Sequence, residues 1–181
     1  MSTPDTHDHG TVVWITGLSG AGKTTVTRHL RHLLMDSGNR PVVLDGDAVR
    51  AAVSESGGYD PESRKSRGMT YARLAKELSS QGHTVLVATI SLFHDIHHWN
   101  RENIDKYIEV LLDVPLPELR RRDRKGLYSA VDTHEVVGIG QDAQMPLSSD
   151  LVIDNYSTTP PDVAAQKVFQ LLQPLNERDH I

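Results

Sequence analysis

The chain has 181 residues and no cysteine, which excludes disulfide bonds, zinc–thiolate sites and thiol catalysis. It also has no hydrophobic run approaching the roughly 20 residues that span a bilayer. The first ten residues are polar and acidic, where a signal peptide would be basic and then apolar. We therefore expect a cytoplasmic protein with no membrane partner.

Positive charge is in short supply, with 19 Lys and Arg against 24 Asp and Glu and a formal net charge of -5. Proteins that bind nucleic acid usually present a basic surface, so we expect no nucleic-acid partner. The length suits one α/β domain that buries a full core without covalent staples. We predict a disordered lead over residues 1–10, a single domain over 11–175 and a short tail over 176–181.

One stretch, Gly17 to Thr24, matches the phosphate-binding pattern G-x-x-x-x-G-K-[ST] at every required position, and a second threonine, Thr25, follows. The glycines let successive backbone N–H groups point inward, and the N-terminus of the following helix adds partial positive charge. The pattern predicts that Lys23 reaches the β- and γ-phosphates of ATP and that Thr24 ligates Mg²⁺. The predicted donor-site residues are Gly17, Ser19, Gly20, Gly22, Lys23, Thr24 and Thr25.

The alternative for this stretch is a glycine-rich turn without a ligand. Its context argues against that alternative, because an apolar, β-branched run at 11–16 precedes it and apolar residues recur at helical spacing over 23–35. A buried strand, a glycine-rich loop and a helix are the required surroundings of a phosphate-binding loop. We therefore predict a nucleotide site here.

Strand and helix patterns alternate along the rest of the chain. Such alternation implies βαβ crossovers, and hence a parallel five-stranded sheet with helices on both faces. We predict buried strands at 11–16 and 41–44, further strands at 84–89, 107–114 and 151–154, and helices at 23–35, 47–53, 61–81, 95–102, 115–122 and 161–172. The expected buried faces are Tyr71, Leu74, Ala75 and Leu78 in the third helix and Val163, Ala164, Val168, Leu171 and Leu172 in the last.

Two carboxylates, Asp45 and Asp47, follow the second predicted strand. Ligands of open parallel sheets bind beyond the carboxyl ends of the strands, so we expect both near the phosphates. Either one would accept a proton from an acceptor or hold the metal, and Asp45 joins Thr24 as a predicted metal ligand. The alternative is that Asp47 only caps a helix. Residues 90–93 follow the third strand at the same edge.

A basic run at 120–125 contains Arg120, Arg121, Arg122, Arg124 and Lys125, and a segment with glycines but no steady period follows it. We predict a mobile lid over about 120–146 that closes over the phosphates. The alternative is a solvated helix face, or a helix C-terminus complementing the dipole. Three histidines, His94, His97 and His98, also cluster, but a metal site would need further ligands. We expect surface or acceptor-pocket histidines instead.

Five segments together resemble the adenylyl-sulfate (APS) kinases in order and spacing. They are 17–25, 44–50, 90–91, 122–128 and 151–155, and the similarity runs from about 11 to 155. The resemblance implies transfer of the γ-phosphate of ATP to the 3′-hydroxyl of adenylyl sulfate, on a P-loop kinase fold that is commonly dimeric. It makes Asp47 the acceptor-side catalytic carboxylate and Ser91 the serine sometimes assigned as a phosphoserine intermediate. Other residues are expected to contact the substrates, either from the resemblance or from their position at the cleft. They are Asp45, Arg50, Arg64, Ile90, Phe93, Arg122 and Lys125.

The chain departs from that family on the acceptor side. Leu92, Phe93 and His94 stand where typical members have proline, an aromatic residue and arginine, and residues 67–70 replace an asparagine and paired arginines. Residues 136–140 replace the Phe-Thr-Gly-Ile-Asp of the lid, whose aromatic packs on the acceptor's adenine. A divergent branch, the cytidine diphosphoramidate kinases, is similar at these same places. These differences predict a changed acceptor.

We therefore predict an ATP- and Mg²⁺-dependent kinase that forms a homodimer and phosphorylates a small anionic, nucleotide-like acceptor. An authentic adenylyl-sulfate kinase is the first alternative. A nucleotide-switch protein, in which hydrolysis drives partner binding, is an alternative of another class. It is less favoured because the chain has no recognisable base-reading or switch motif and carries a basic lid.

Overall fold

The computed structural model describes residues 9–53, 58, 60–123, 126, 128, 137 and 142–176. Their five strands are β1 (Val12–Thr16), β2 (Val42–Asp45), β3 (Val85–Ala88), β4 (Tyr107–Asp113) and β5 (Leu151–Asp154). The helices are α1 (Lys23–Asp36), α2 (Gly46–Ala52), α3 (Pro61–Ser80), α4 (His94–Asn103), α5 (Leu116–Arg121) and α6 (Pro161–Asn176). The predicted elements are confirmed, with ends that shift by a few residues.

The strands form one sheet in the order β2-β3-β1-β4-β5, and every neighbouring pair is parallel. β1 lies at the centre of the sheet, and its Val12 to Thr16 are fully or almost fully buried. Parallel strands connected through helices bring all five carboxyl ends to one edge. The sheet thus confirms the predicted α/β, P-loop kinase architecture, and it places the phosphate-binding loop after the central strand.

The core has two parts, one on each face of the sheet. One contains Leu30 and Leu34 of α1 together with Val168 and Leu172 of α6. The other contains Tyr71 and its neighbours on α3, packed against Trp14, Val85 and Val87. Burying apolar side chains on both faces is the main force that holds parallel sheets together.

Three sequence predictions about burial are wrong. The second strand, β2, is predicted to be buried but is only half-buried, because it forms an edge of the sheet, and Val43 is 36% exposed. Leu74 of α3 and Val163 and Leu171 of α6 are predicted to be buried and instead face solvent. Ala72 and Ala165 take these inner positions, since small side chains let the helices pack close to the sheet.

No helix among the described residues is long and apolar enough to cross a membrane. Residues 1–8 of the predicted lead over 1–10, most of the predicted lid and residues 177–181 of the predicted tail over 176–181 lie outside the described residues.

Candidate active site

A wide cleft opens at the carboxyl ends of the strands. Its volume is about 2110 Å³, whereas pockets for one small molecule are typically about 300–1,000 Å³. The cleft therefore has room for two nucleotide-sized ligands. The predicted site residues that line it are Ser19, Gly20, Gly22, Lys23, Thr24, Thr25, Asp45, Asp47, Arg50, Arg64, Ile90, Ser91, Phe93 and Arg122.

One predicted site residue in the described ranges, Gly17, does not line the cleft. Gly17 lies behind the loop, where an added Cβ would stand 2.6 Å from the Leu112 carbonyl oxygen. Its φ of 145° also suits glycine, so Gly17 shapes the loop instead of touching a ligand. Lys125, like Arg124, lies outside the described residues, so its role as a lid lysine stays a prediction.

The phosphate-binding loop is held in an open curl by glycine geometry. Gly20 and Gly22 have φ values of 76° and 95°, a left-handed conformation that side chains disfavour. A Cβ on Gly22 would also lie 2.6 Å from Nδ2 of Asn155. Gly22 precedes α1 directly as its N-cap residue, without a capping side chain. The first N–H groups of the helix therefore stay available for an anion, as the phosphate-binding pattern requires.

Lys23 begins α1 and folds back over this loop. Its Nζ donates hydrogen bonds of 2.8 Å to the carbonyl oxygens of Gly17 and Leu18. The ammonium group is thus held at the concave side of the loop, where it would meet the β- and γ-phosphates of a nucleotide. The loop curl, the helix N-terminus and the lysine fit a nucleoside triphosphate.

Thr24 and Asp45 form a pair of oxygen ligands suited to magnesium. Thr24 Oγ1 donates a 2.6 Å hydrogen bond to Asp45 Oδ2. No group of three or more His, Cys, Asp or Glu residues able to hold a metal occurs in the described ranges. This agrees with Mg²⁺ chemistry in kinases, where the ion takes one or two protein oxygens and completes its shell with phosphates and water. Thr24 and Asp45 would hold the ion, which would supply charge neutralisation.

Asp45, and not Asp47, caps the second helix. Asp45 Oδ1 accepts hydrogen bonds from the backbone N–H groups of Asp47 and Ala48, at 3.1 and 3.3 Å. The alternative explanation of Asp47 as a simple N-cap is therefore wrong, because α2 starts at Gly46, one residue earlier than predicted. Asp47 lies in the first turn, lining the cleft. The side-chain cap of α2 is thus the Asp45 carboxylate and not that of Asp47.

Ser91 follows β3 in a conformation that serine seldom adopts. Its φ is 29°, its Oγ lies 2.8 Å from Thr89 Oγ1, and the residue is only 8% exposed. The preceding residue, Ile90, accepts a hydrogen bond from the Thr16 hydroxyl through its carbonyl group. These contacts fix the turn after β3 against β1, so Ser91 and Phe93 stand at the wall of the cleft.

Two described arginines of the basic run, Arg121 and Arg122, bind the same carboxylate. Glu118 accepts hydrogen bonds from Arg121 at 2.7 and 2.8 Å and from Arg122 at 2.6 Å. These bonds lower the pKa of Glu118 to about 2. Arg122 also donates to the Asn155 carbonyl at 2.9 Å. Arg122 is thus placed at the donor end of the cleft, while Arg121 is largely a solvated helix residue, as the alternative explanation of the run expects.

Two residues that brace the phosphate-binding loop were given no role in the sequence predictions. The Tyr128 hydroxyl donates to the Ser19 carbonyl at 2.7 Å. Burial of the Tyr128 side chain is the larger cause, and the negative charge of Asp123 the smaller one, that raises the pKa of Tyr128 to about 12. Asn155, which is 2% exposed, donates from Nδ2 to the Ala21 carbonyl at 2.6 Å. Asn155 directly follows β5, so the rule that placed Asp45 in the site would also have found it.

The three clustered histidines have separate partners. His94 lies against the chain after the lid, with its Nε2 2.9 Å from the Met145 carbonyl. His97 is 5% exposed and contacts Glu109 at 2.7 Å, so the expectation of a surface or pocket histidine is wrong for this residue. His98 is exposed and lies 3.1 Å from Glu102. Each of the three histidines therefore contacts a different residue of the protein.

Comparison with known proteins assigns this site to a family. The family model for adenylylsulphate kinase matches residues 9–154. The chain belongs to this family. It is 36% identical to the adenylyl-sulfate kinase of Pseudomonas aeruginosa over 167 residues, covering 90% of this chain and 85% of the relative. It is 37% identical to the cytidine diphosphoramidate kinase of Campylobacter jejuni over 147 residues, covering 80% of this chain and 85% of the relative.

A solved structure agrees with this assignment. The APS kinase of Mycobacterium tuberculosis in complex with AMPPNP and APS superposes with a TM-score of 0.81 at 34% identity, covering 91% of this chain and 98% of that one. The protein is an ATP-dependent kinase of the adenylylsulphate kinase family, and the predicted enzyme class and fold are confirmed. The nucleotide-switch alternative finds no support in these relatives.

Proposed function

We propose that this kinase transfers the γ-phosphate of Mg²⁺-bound ATP to a small anionic, nucleotide-like acceptor. The observation that carries the proposal is the arrangement of the cleft. The phosphate-binding loop with Lys23 forms one end, and Arg50, Arg64 and Phe93 line the rest of the same cleft. Asp47 lies on α2, between Asp45 and Arg50 in the chain. A donor site, a carboxylate and an arginine-containing acceptor region are what phosphoryl transfer between two small molecules needs.

Asp47 is proposed to orient the acceptor hydroxyl and to accept its proton as the oxygen attacks the γ-phosphorus. Lys23 would stabilise the charge on the transferred group, and the Thr24–Asp45 pair would position the metal ion. Arg50 and Arg64 would bind the acceptor's anionic groups. Ser91 is too closely packed to be assigned a covalent step, and we propose that it shapes the pocket wall.

The relatives include both adenylyl-sulfate and cytidine diphosphoramidate kinases at similar identity, so their names do not choose the acceptor. Three local observations favour a changed acceptor over adenylyl sulfate. Leu92 is 2% exposed in the core, and the place of the lid aromatic is taken by Val136, an aliphatic residue without a stacking face. His94 is bound to the chain at Met145. Phe93 does line the cleft, and it is the proposed platform for a different base.

A direct acceptor comparison tests this function. The protein is incubated with ATP and Mg²⁺ and, separately, with adenylyl sulfate, cytidine diphosphoramidate and nucleoside diphosphates, and products are read by the mass gain of one phosphoryl group. We expect efficient transfer to a nucleotide-like acceptor other than adenylyl sulfate. Losing one base–aromatic stack costs about 1–3 kcal/mol, so adenylyl sulfate should turn over poorly. A micromolar KM with ordinary kcat for adenylyl sulfate would instead identify an authentic adenylyl-sulfate kinase.

A homodimer and a cytoplasmic location are further proposals. Sedimentation of the purified protein and fractionation of cells that express it would test them.

A further inference from the structure

Arg67 of α3 is a buried cation in the wall of the cleft. It is 7% exposed and lines the cleft. Its Nη2 donates to the Gly58 carbonyl at 2.8 Å. Its Nη1 is shielded from solvent, and no described residue accepts a hydrogen bond from it. None of the ion pairs among the described residues includes Arg67.

Such an arrangement is unfavourable in the protein alone. A guanidinium group stays protonated in proteins, and a buried charge without a counter-ion is strongly destabilising. Two less buried arginines have a carboxylate partner instead: Arg101 pairs with Asp150 at 3.0 Å and Arg122 with Glu118 at 2.6 Å. The anion that would balance Arg67 is therefore expected from a ligand.

Close packing of α3 fixes the position of this guanidinium. A Cβ on the next residue, Gly68, would lie 2.5 Å from Ile96 Cδ1 and 2.8 Å from Ser91 Oγ. Glycine thus lets α3 approach the turn after β3, and the stem of Arg67 is buried as a result. One turn later, the Tyr71 hydroxyl donates to the Gly46 carbonyl at 3.0 Å, beside Asp47. Arg67 is therefore held on the part of α3 that packs against the turn after β3 and the start of α2.

We propose that Arg67 is a specificity-determining residue that binds an oxyanion of the acceptor, of the diphosphate or phosphosulfate class. The inference deepens the proposed function and rests on it. The planar guanidinium pairs with such groups through two parallel hydrogen bonds. Arg67 joins Arg50 and Arg64 among the arginines that line the cleft, which selects an acceptor with more than one negative charge near its reactive hydroxyl.

Stability measurements separate this role from a structural one. Arg67→Met keeps an unbranched stem but removes the charge and the donors. If the charge serves a ligand, the Tm of the ligand-free variant should equal or exceed that of the wild type, since functional residues are often kept at a cost in stability. A clear fall in Tm, together with unchanged ligand binding, would assign Arg67 to holding Gly58 and overturn the proposal.

Anion binding is then measured by calorimetry on protein saturated with Mg²⁺ and AMPPNP, with inorganic pyrophosphate as the probe, so that the donor site is filled. We expect Arg67→Met to weaken pyrophosphate binding at least about tenfold, because a charge-assisted bidentate contact is lost. The pyrophosphate affinity of Arg67→Lys should lie between those of the wild type and Arg67→Met, since lysine keeps the charge but lacks the planar group that donates two parallel hydrogen bonds. Arg73→Met, an exposed arginine of the same helix, should bind like the wild type.

The outcomes also distinguish this inference from the proposed function. Titration with AMPPNP alone reports the donor site, and failure to bind it would contradict the kinase mechanism. If AMPPNP binds normally but wild type and Arg67→Met bind pyrophosphate with equal affinity, the role proposed for Arg67 is overturned and the kinase mechanism is not. The same holds if AMPPNP binds normally and pyrophosphate shows no saturable binding to the wild type. If Arg67→Met does not fold, the Arg67→Lys comparison decides, and unchanged affinity in that variant overturns the bidentate contact.

Discussion

Thr24 and Asp45 are joined by a 2.6 Å hydrogen bond that connects the first turn of α1 to the end of β2. The same carboxylate caps α2 through the N–H groups of Asp47 and Ala48. Asp45 therefore couples the donor site, the metal ligands and the helix that carries Asp47. Two neighbouring aspartates thus have separable tasks, and substitutions should separate them.

Asp47→Asn should lower kcat by about 10²-fold or more, the usual scale for a positioned base, with little change in AMPPNP affinity or Tm. Asp45→Ala should instead weaken binding of Mg²⁺-AMPPNP and lower the unfolding free energy, since replacing an N-cap aspartate by alanine costs about 0.5–2 kcal/mol. Steady-state kinetics gives kcat, calorimetry gives the nucleotide affinity, and urea unfolding gives the stability of each variant. If Asp47→Asn loses nucleotide binding while kcat holds, Asp47 belongs to the metal site.

Lys23→Ala should abolish phosphoryl transfer and leave the fold intact. Lys23 Nζ donates 2.8 Å hydrogen bonds to the carbonyl groups of Gly17 and Leu18 in the loop, and Lys23 is only partly buried, so its removal should leave no cavity in the core. ATP consumption and Tm are the measurements. Lys167→Ala, an exposed lysine of α6, is the control and should match the wild type. Near-normal turnover by Lys23→Ala would refute the kinase mechanism.

The buried carboxylate of Glu109, which contacts His97 of α4, should make the free energy of unfolding depend on pH. Glu109 is 1% exposed, and its carboxylate contacts His97 at 2.7 Å and accepts from Tyr107 at 2.8 Å. Burial alone would raise the pKa of Glu109, but the His97 and Tyr107 hydrogen bonds and the Arg101 charge outweigh it and lower the pKa below 4.5. A lowered folded-state pKa adds stability above the unfolded value, and that stability is lost as pH falls through the folded value.

Glu109→Gln should therefore destabilise the protein most near pH 7, by about 3–5 kcal/mol for a broken buried pair, and the difference from the wild type should shrink below pH 4.5. Urea unfolding across this range tests the sign. Glu102→Gln is the matched control, because Glu102 pairs with His98 at the surface, where its side chain is 60% exposed. A difference that does not vary with pH would show that Glu109 acts through packing alone.

The sequence predicted the sheet and the donor site well because both depend on local patterns. An apolar run, a glycine pattern and a helical period suffice to place Lys23 and Thr24. The burial of β2 was predicted wrongly, since strand order in the sheet depends on which helices cross which face. The role of Asp45 as a cap depended on a one-residue shift in the start of α2, which patterns do not resolve.

Tertiary partners account for the rest of the site. Tyr128 reaches Ser19 across 109 positions and Asn155 reaches Ala21 across 134, and no local pattern announces such pairs. Arg67 belongs to a stretch that the resemblance marks only as a departure from its relatives. Its importance emerges from burial and from the lack of a described counter-ion, which are properties of the folded chain.

Gly22 and Asn155 provide a test of how tightly the phosphate-binding loop is built. Gly22→Ala meets two obstacles, a φ of 95° and a Cβ placed 2.6 Å from Asn155 Nδ2. Gly38→Ala meets only the first, because its φ is 89° and nothing lies within 4 Å of its Cβ. The left-handed conformation costs about 1–2 kcal/mol, so Gly38→Ala should lose that much unfolding free energy and keep its ATP affinity.

Gly22→Ala should lose more unfolding free energy than Gly38→Ala and should also bind AMPPNP more weakly, because the displaced Asn155 no longer holds the Ala21 carbonyl at 2.6 Å. Asn155→Ala alone should weaken nucleotide binding for the same reason. The double variant removes the clash but keeps the strained φ, so its loss should be smaller than the sum of the single losses, as expected for residues in contact. Additive losses in urea unfolding and AMPPNP calorimetry would show that the two residues do not meet, and that the loop is held by its glycine conformations alone.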